Sequence, residues 1–308
     1  SQTELTPWNK IFILHQLKTL FIHCPKLKTE HIAYQIAEME SSVRGYLEST
    51  IVTERIAKEQ RKDNLVFVMV ADFLGENHPV SRSALERCYM LQRRLGKHVR
   101  IISAGESCTM QDAIPMYQIQ VRNRIDTYTS QKQYEYLGEK IELYQSEIPA
   151  DSAEGFRELM DYITEERPEY IIYVGEQSFV ADMANRICPV LTISSTFSAI
   201  QNTKTEFLMT GRRVSDQEKS LLYPQVIEIP FTFQMKKQKS VYTRSMLQIP
   251  ENRFALVVVG MRLDADITDE FLMNIQAEIE KGCYIVFIGK YDKYEIKCQT
   301  YPWLLDNS

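Results

Sequence analysis

At 308 residues the chain is long for one core and suits two units, and its 44% hydrophobic and 25% charged residues exclude a disordered or collagen-like polymer. A formal charge of −5, from 36 basic and 41 acidic side chains, excludes the broad positive field that steers a protein onto nucleic acid or anionic lipid. The six cysteines (Cys24, Cys88, Cys108, Cys188, Cys283, Cys298) form no CxxC pair, which argues against a zinc site or a compact disulfide framework and fits a reducing cytosol.

The opening Ser1, with no basic segment leading into an apolar one, reads as a cleaved or engineered start without a secretion signal. No apolar run reaches the roughly 18 residues needed to cross a bilayer. Residues 1–62 read as a helical hairpin. Trp8, Ile11, Phe12, Leu17 and Phe21 belong to a first helix, and Pro25 marks the break after it. Ile32, Ile36, Met39, Val43, Tyr46, Thr50 and Thr53 then recur at spacings of four and three, the stripe of a long amphipathic helix for which Thr29 is placed as the cap. This hairpin packs on the main domain or serves as the surface for a homodimer or protein partner.

Residues 63–240 read as a doubly wound α/β domain. "NLVFVMVA" (64–71) is a continuous apolar, β-branched run of the kind buried on both faces of a parallel sheet. A loop with Gly75 and Pro79 follows, then a helix stopping at Gly96 and a strand from Val99, which completes one βαβ unit. The stretch from Met116 to Gln145 holds short strands or a variable excursion. Beyond it come a helix, a strand over 169–174, a Gly-containing loop, a helix, and strands over 190–194 and 225–231.

Residues 241–308 read as a linker and the start of a second α/β domain: a strand from Phe254 to Val259, a helix from Thr268 to Lys281 and a strand from Tyr284 to Ile288. One βαβ unit leaves much apolar surface wet, so a truncated chain is the expectation here.

"TRSMLQIPENRFALVVVGMRLD" (243–264) resembles the hinge and opening strand of the C-terminal domain of GT-B fold glycosyltransferases, and "FVMVADFLGENHPVSRSALERCYMLQRRLGKHVRIIS" (67–103) is similar to their first strand, acceptor-side loop and first helix. The resemblance covers roughly Asn64 to Ile288. It implies a GT-B-like pair of Rossmann-type domains, with a helical extension in front and only the start of the second domain present. The C-terminal domain would hold the nucleotide diphosphate sugar and the N-terminal one the acceptor, with the later donor-binding half missing from this chain.

Within that resemblance, Arg262, after the strand end at Gly260, is placed to hold the donor diphosphate, unless it pairs with Asp264 or Asp266; Lys290 is a second phosphate contact or a plain surface lysine. His78 is placed as a general base for the acceptor hydroxyl, or lines the cleft without chemistry. Gly75 allows a tight loop or the close approach of an acceptor, and Asn77 is a hydrogen-bond partner for a sugar. Ser178 caps a helix whose first amides can meet a polar ligand; Glu176 is an acceptor contact, and its charge argues against a phosphate loop.

Neither GxSxG, HExxH nor a Gly-rich dinucleotide fingerprint is present, and the five histidines do not cluster with carboxylates, so hydrolase, metalloenzyme and dehydrogenase chemistry find no support. The expectation is a bacterial-type, cytoplasmic glycosyltransferase for polysaccharide or protein glycosylation. It would need no metal or cofactor beyond the nucleotide sugar, and would bind no nucleic acid. The alternatives are a noncatalytic binding or chaperone subunit on the same scaffold, and a nucleotide-sugar epimerase.

Overall fold

The computed structural model describes residues 5–23, 27, 29–106, 124–129, 131–175, 177–195, 202–230, 241–260 and 263–308. They fall into two compact units, Ser1–Thr232 and Phe233–Ser308.

Unit 1 opens with α1 (Pro7–His23) and α2 (Glu30–Thr50). Thr29 caps α2, its Oγ1 accepting from Ile32 N at 3.3 Å. The buried stripe rolls slightly from the expected one: Val43 and Leu47 are its centre, Ile36, Met39 and Tyr46 flank it, and the helix ends before Thr53. The shift brings Val43 and Leu47 into the same core as Trp8, Ile11 and Phe12 of α1. Trp8 also meets Phe156 at 6.1 Å, so the hairpin is built into the unit's own core.

The sheet is laid down by β1 (Lys62–Val70), α3 (Pro79–Leu95), β2 (His98–Ser103), β3 (Gln133–Tyr136), β4 (Glu139–Gln145), α4 (Ala153–Glu166), β5 (Pro168–Gly175), α5 (Phe179–Ala184), β6 (Val190–Ser194), β7 (Phe207–Thr210), α6 (Asp216–Leu221) and β8 (Gln225–Glu228). Its eight strands lie in the order β3-β4-β2-β1-β5-β6-β7-β8. Every neighbouring pair is parallel except β3–β4, which is antiparallel. The chain winds from β1 outward to β4, then returns to β5 and winds the other way, which is the Rossmann-like pattern with its switch point between β1 and β5.

Alternate residues of β1 serve opposite layers, as the pleat requires. Val66, Val68 and Val70 meet Ala84, Leu85 and Cys88 of α3. Phe67 and Met69 meet the layer built from α1, α2, α4 and α5. A buried polar cluster fastens α2 to α5: Arg44 Nε pairs with Asp182 Oδ2 at 2.9 Å, while Asp182 Oδ1 accepts from Thr203 Oγ1 at 2.8 Å and Lys204 N at 2.6 Å.

The stretch that reads ambiguously contains the β3–β4 hairpin, turned by Leu137 (φ 51°) and Gly138 (φ 81°), both left-handed as a two-residue hairpin turn demands. The four-residue β7 has no counterpart among the expected strands, and β8 ends at Glu228, short of the expected 231.

Unit 2 holds β9 (Ala255–Gly260), α7 (Leu263–Asp266), α8 (Asp269–Glu280), β10 (Tyr284–Gly289), α9 (Tyr294–Thr300) and α10 (Trp303–Asn307). β9 and β10 form a parallel pair. Ile285 on one face joins Leu263, Ile267, Leu272, Ile279, Cys298 and Leu304 in a small core, with Val258 and Phe287 packed against it. On the other face Val257, Val259 and Ile288 stay 54%, 72% and 52% exposed. The Ile-Pro-Glu-Asn turn is closed by Arg244, whose Nη1 donates to Pro250 O at 2.9 Å and Arg253 O at 2.6 Å. Arg253 in turn donates to Gly282 O at 2.9 Å, to Cys283 O and to Asn307 Oδ1 at 2.7 Å.

Candidate functional site

Open parallel sheets bind ligands beyond the carboxyl ends of their strands, at the switch point. In unit 1 that edge is formed by the loop after β1, by Gly175, Gln177 and Ser178 after β5 and by Ala104 to Glu106 after β2. The loops are fixed by backbone and side-chain bonds. Ala104 N donates to Val70 O at 3.0 Å and Gly105 N to Ala71 O at 2.7 Å. Phe73 N donates to Ser103 Oγ at 3.0 Å, and that hydroxyl donates to Gln145 Oε1 at 3.0 Å.

Gly75 has φ 79°, and a Cβ there would lie 2.9 Å from Tyr128 Oη. The close approach it permits is therefore by the chain's own tyrosine. Tyr134 Oη accepts from Glu76 N at 3.3 Å, and Phe73 sits against both rings at 5.2 and 5.1 Å. Asn77 is exposed on the same loop.

His78 is the N-cap of α3, followed by Pro79 in its first turn. Ser81 N approaches His78 Nδ1 at 3.5 Å. Ser81 Oγ accepts from Leu74 N at 2.8 Å, which leaves its proton for the same Nδ1 at 3.3 Å. Partial desolvation lowers the pKa of His78 despite the opposing charge of Asp72, so the neutral ring is favoured near neutral pH. With two donors aimed at Nδ1, the proton of the neutral ring belongs on Nε2. The ring thus offers an N–H rather than a lone pair, which disfavours the general-base role and suits donation to a ligand oxygen.

Ser178 is fully buried and caps α5, its Oγ accepting from Ala181 N at 2.9 Å. Across from it lies Glu106, a residue to which the sequence reading gave no part. Its Oε2 accepts from Ser178 Oγ at 2.5 Å, and its Oε1 accepts from Phe179 N at 2.5 Å and Val180 N at 3.3 Å. The first-turn amides of α5 are thus met by an internal carboxyl rather than left for a ligand. Burial pushes the Glu106 carboxyl up to about 7, against the opposing pull of those hydrogen bonds and of Lys18. Lys18 of α1 reaches the same turn through Gln177 Oε1 at 2.9 Å. The available signal for Glu106 was its position, three residues beyond the end of an apolar strand.

Glu176 and Arg262 lie outside the described residues. Gly75, Asn77 and His78 share the loop after β1, while Ser178 follows β5, the neighbouring strand across the switch point. In unit 2, Lys290 follows β10, is exposed, and pairs with Asp292 at 2.9 Å, which raises its pKa. A Cβ on Gly289 (φ 141°) would fall 1.7 Å from Gly260 O, so the two strand ends touch at a point only glycine allows. A cleft of about 420 Å³ runs along β10, lined by Ile249, Tyr284, Val286, Gly289, Tyr291 and Tyr294 among others.

Among the described residues no group of three His, Cys, Asp or Glu side chains is placed to hold a metal ion, and no helix is long and apolar enough to cross a membrane. No protein-family model and no curated protein matches this chain, so the fold and the edge geometry carry the functional argument.

Proposed function

We propose that the chain is the acceptor-side domain and the beginning of the donor-side domain of a GT-B-type glycosyltransferase, which moves a sugar from a nucleotide diphosphate to a glycan or protein hydroxyl. The observation that carries this reading is the Rossmann-like strand order of unit 1, followed by a second parallel β-α-β element in unit 2. At the switch point of unit 1 the α5 amides are taken by Glu106 and the first turn of α3 is capped by His78, an edge better suited to hydroxyl groups than to phosphate. In this reading His78 donates from Nε2 to an acceptor oxygen, Asn77 and Glu176 are assigned to acceptor hydroxyls, and Arg262 and Lys290 are assigned to the donor phosphates. Polarising and orienting groups of this kind act by positioning and charge stabilisation, with no metal required.

Calorimetric titration of the chain with uridine, guanosine and thymidine diphosphate sugars tests the reading, alongside release of nucleotide diphosphate in the presence of glycan acceptors. Saturable binding to one nucleotide series, weakened about tenfold or more by Arg262→Ala, is expected. The exposed Val257, Val259 and Ile288 favour a second reading, a noncatalytic subunit whose partner covers that face. Stable co-purification of a partner, with no nucleotide-sugar binding, would establish it instead.

A further inference from the structure

The amino ends of β5 to β8 carry an apolar trough on the face that α3 covers over the earlier strands. The register runs Val68–Ile172–Leu191–Phe207 across the sheet, with Val66 opposite Tyr170 and Met209 opposite Ile227. Residues paired in this way share a face, so Tyr170, Leu191, Phe207 and Ile227 lie on the side where Val66 and Val68 meet α3. α3 packs mainly on β1, β2, β4 and β5, while α5, the crossover between β5 and β6, belongs to the opposite layer. The four side chains are therefore left half-buried, one on each successive strand, across three strand spacings or about 14 Å. They floor a groove of about 420 Å³, within the roughly 300–1,000 Å³ typical of small-molecule sites.

The mouth of the groove is charged, and its cations are the freer groups. Glu169 is already held, its Oε2 accepting from Lys97 Nζ at 2.5 Å and from Asn64 N at 3.1 Å. Lys97 also stands 5.8 Å from the centre of the Tyr170 ring. Arg61 is fixed by carbonyls alone: Nε donates to Ile56 O at 3.1 Å and Nη1 to Glu169 O at 3.4 Å, which leaves Nη2 without a partner among the described residues. Lys58, exposed on the turn before β1, makes no salt bridge among them and acts on Glu169 only from a distance. Asp63 is the remaining acid of the mouth and is exposed.

We infer that this groove binds a small amphiphilic anion, a hydrocarbon chain ending in a carboxylate, with the chain lying across β5–β8 and the head group on Arg61 and Lys58. The floor is aromatic and aliphatic save for one phenol hydroxyl, which suits an alkyl chain and leaves the hydroxyls of a sugar without partners. A guanidinium held by two carbonyls, with one amino group free, is a ready receptor for a carboxylate. The groove lies at the opposite ends of the strands from the switch-point edge, so the inference depends on nothing in the glycosyltransferase reading.

The test is calorimetric titration of the chain with dodecanoate, kept below its micelle-forming concentration, with methyl NMR to place the ligand. Saturable one-to-one binding is expected, with shifts at the Leu191 and Ile227 methyls and none at Val257, Val259 or Ile288 on the exposed face of unit 2. Shortening the chain to decanoate should weaken binding about tenfold, the loss for two buried methylenes. Arg61→Gln should weaken it about tenfold, and Lys58→Gln, a change at an exposed side chain, about threefold. Dodecylamine, with the same chain and the opposite charge, should bind about tenfold more weakly or worse. No saturable binding, shifts centred on unit 2, or equal affinity for dodecanoate and dodecylamine would each overturn the inference. The amine comparison uses the parent chain, so it decides the point even where Arg61→Gln does not fold.

Discussion

The strand "LVFVMV" of unit 1 and the strand "ALVVVG" of unit 2 are both Val-rich apolar runs in parallel pairing, but they have opposite surroundings. β1 is buried from Leu65 to Val70 with a helical layer on each face, whereas β9 alternates between half-buried and exposed because a single layer covers it. The comparison teaches that an apolar run reports the kind of sheet a strand belongs to, while the number of layers over it comes from other parts of the molecule. Stability, pH response and tolerance to substitution should therefore differ between the units.

The largest separation should come from Phe67→Ala, which empties a fully buried site stacked on Tyr162 and is expected to cost about 3–5 kcal/mol in urea unfolding. Arg44→Ala should cost about 3 kcal/mol, because it leaves Asp182 buried without its cation; a neutral result would mean the hairpin is held by apolar packing alone. In unit 2, Gly289→Ala should cost about 2–3 kcal/mol through its collision with Gly260 O, and hydrogen exchange should speed up in β9 and β10 while unit 1 is unaffected.

All five histidines lie in unit 1, as does Glu106. His15, held at about 4 by burial, contributes stability that is present above its ordinary 6.5 and is lost as pH falls toward 4. Glu106 contributes in the opposite sense as pH rises from 4.5 to 7. The two slopes oppose one another, so urea midpoints of Glu106→Gln should fall more steeply than those of the parent chain as pH drops from 6.5 to 4.5. The smallest effect should be Val259→Asp, within about 0.5 kcal/mol on the exposed face, where the same change at Val68 would prevent folding.

Much of the scaffold was legible because its signals are local. Thr29, Gly96 and Thr268 mark helix ends by capping chemistry that depends on a few neighbouring residues. The β3–β4 hairpin was obscured because Leu137 occupies a left-handed turn position where glycine or asparagine is the usual cue. The end of β1 and the loop after it were legible, since a strand's end can be read from its sequence. The role of Glu106 was not legible, because its three donors are more than seventy positions away and meet it only through the β2–β1–β5 order. The tautomer of His78 was hidden for a related reason: it depends on where Ser81 finds its own donor.

Arg253 has a mechanical consequence. One guanidinium grips the turn before β10 through Gly282 and Cys283, and the C-terminal helix α10 through Asn307, so the unit's opening turn and its last helix bear on one clasp. A tether pulled from either side of unit 2 would load that clasp before it strained the β9–β10 ladder. In a force experiment Arg253→Ala should therefore lower the first yield point while leaving the later rupture of the strands unchanged.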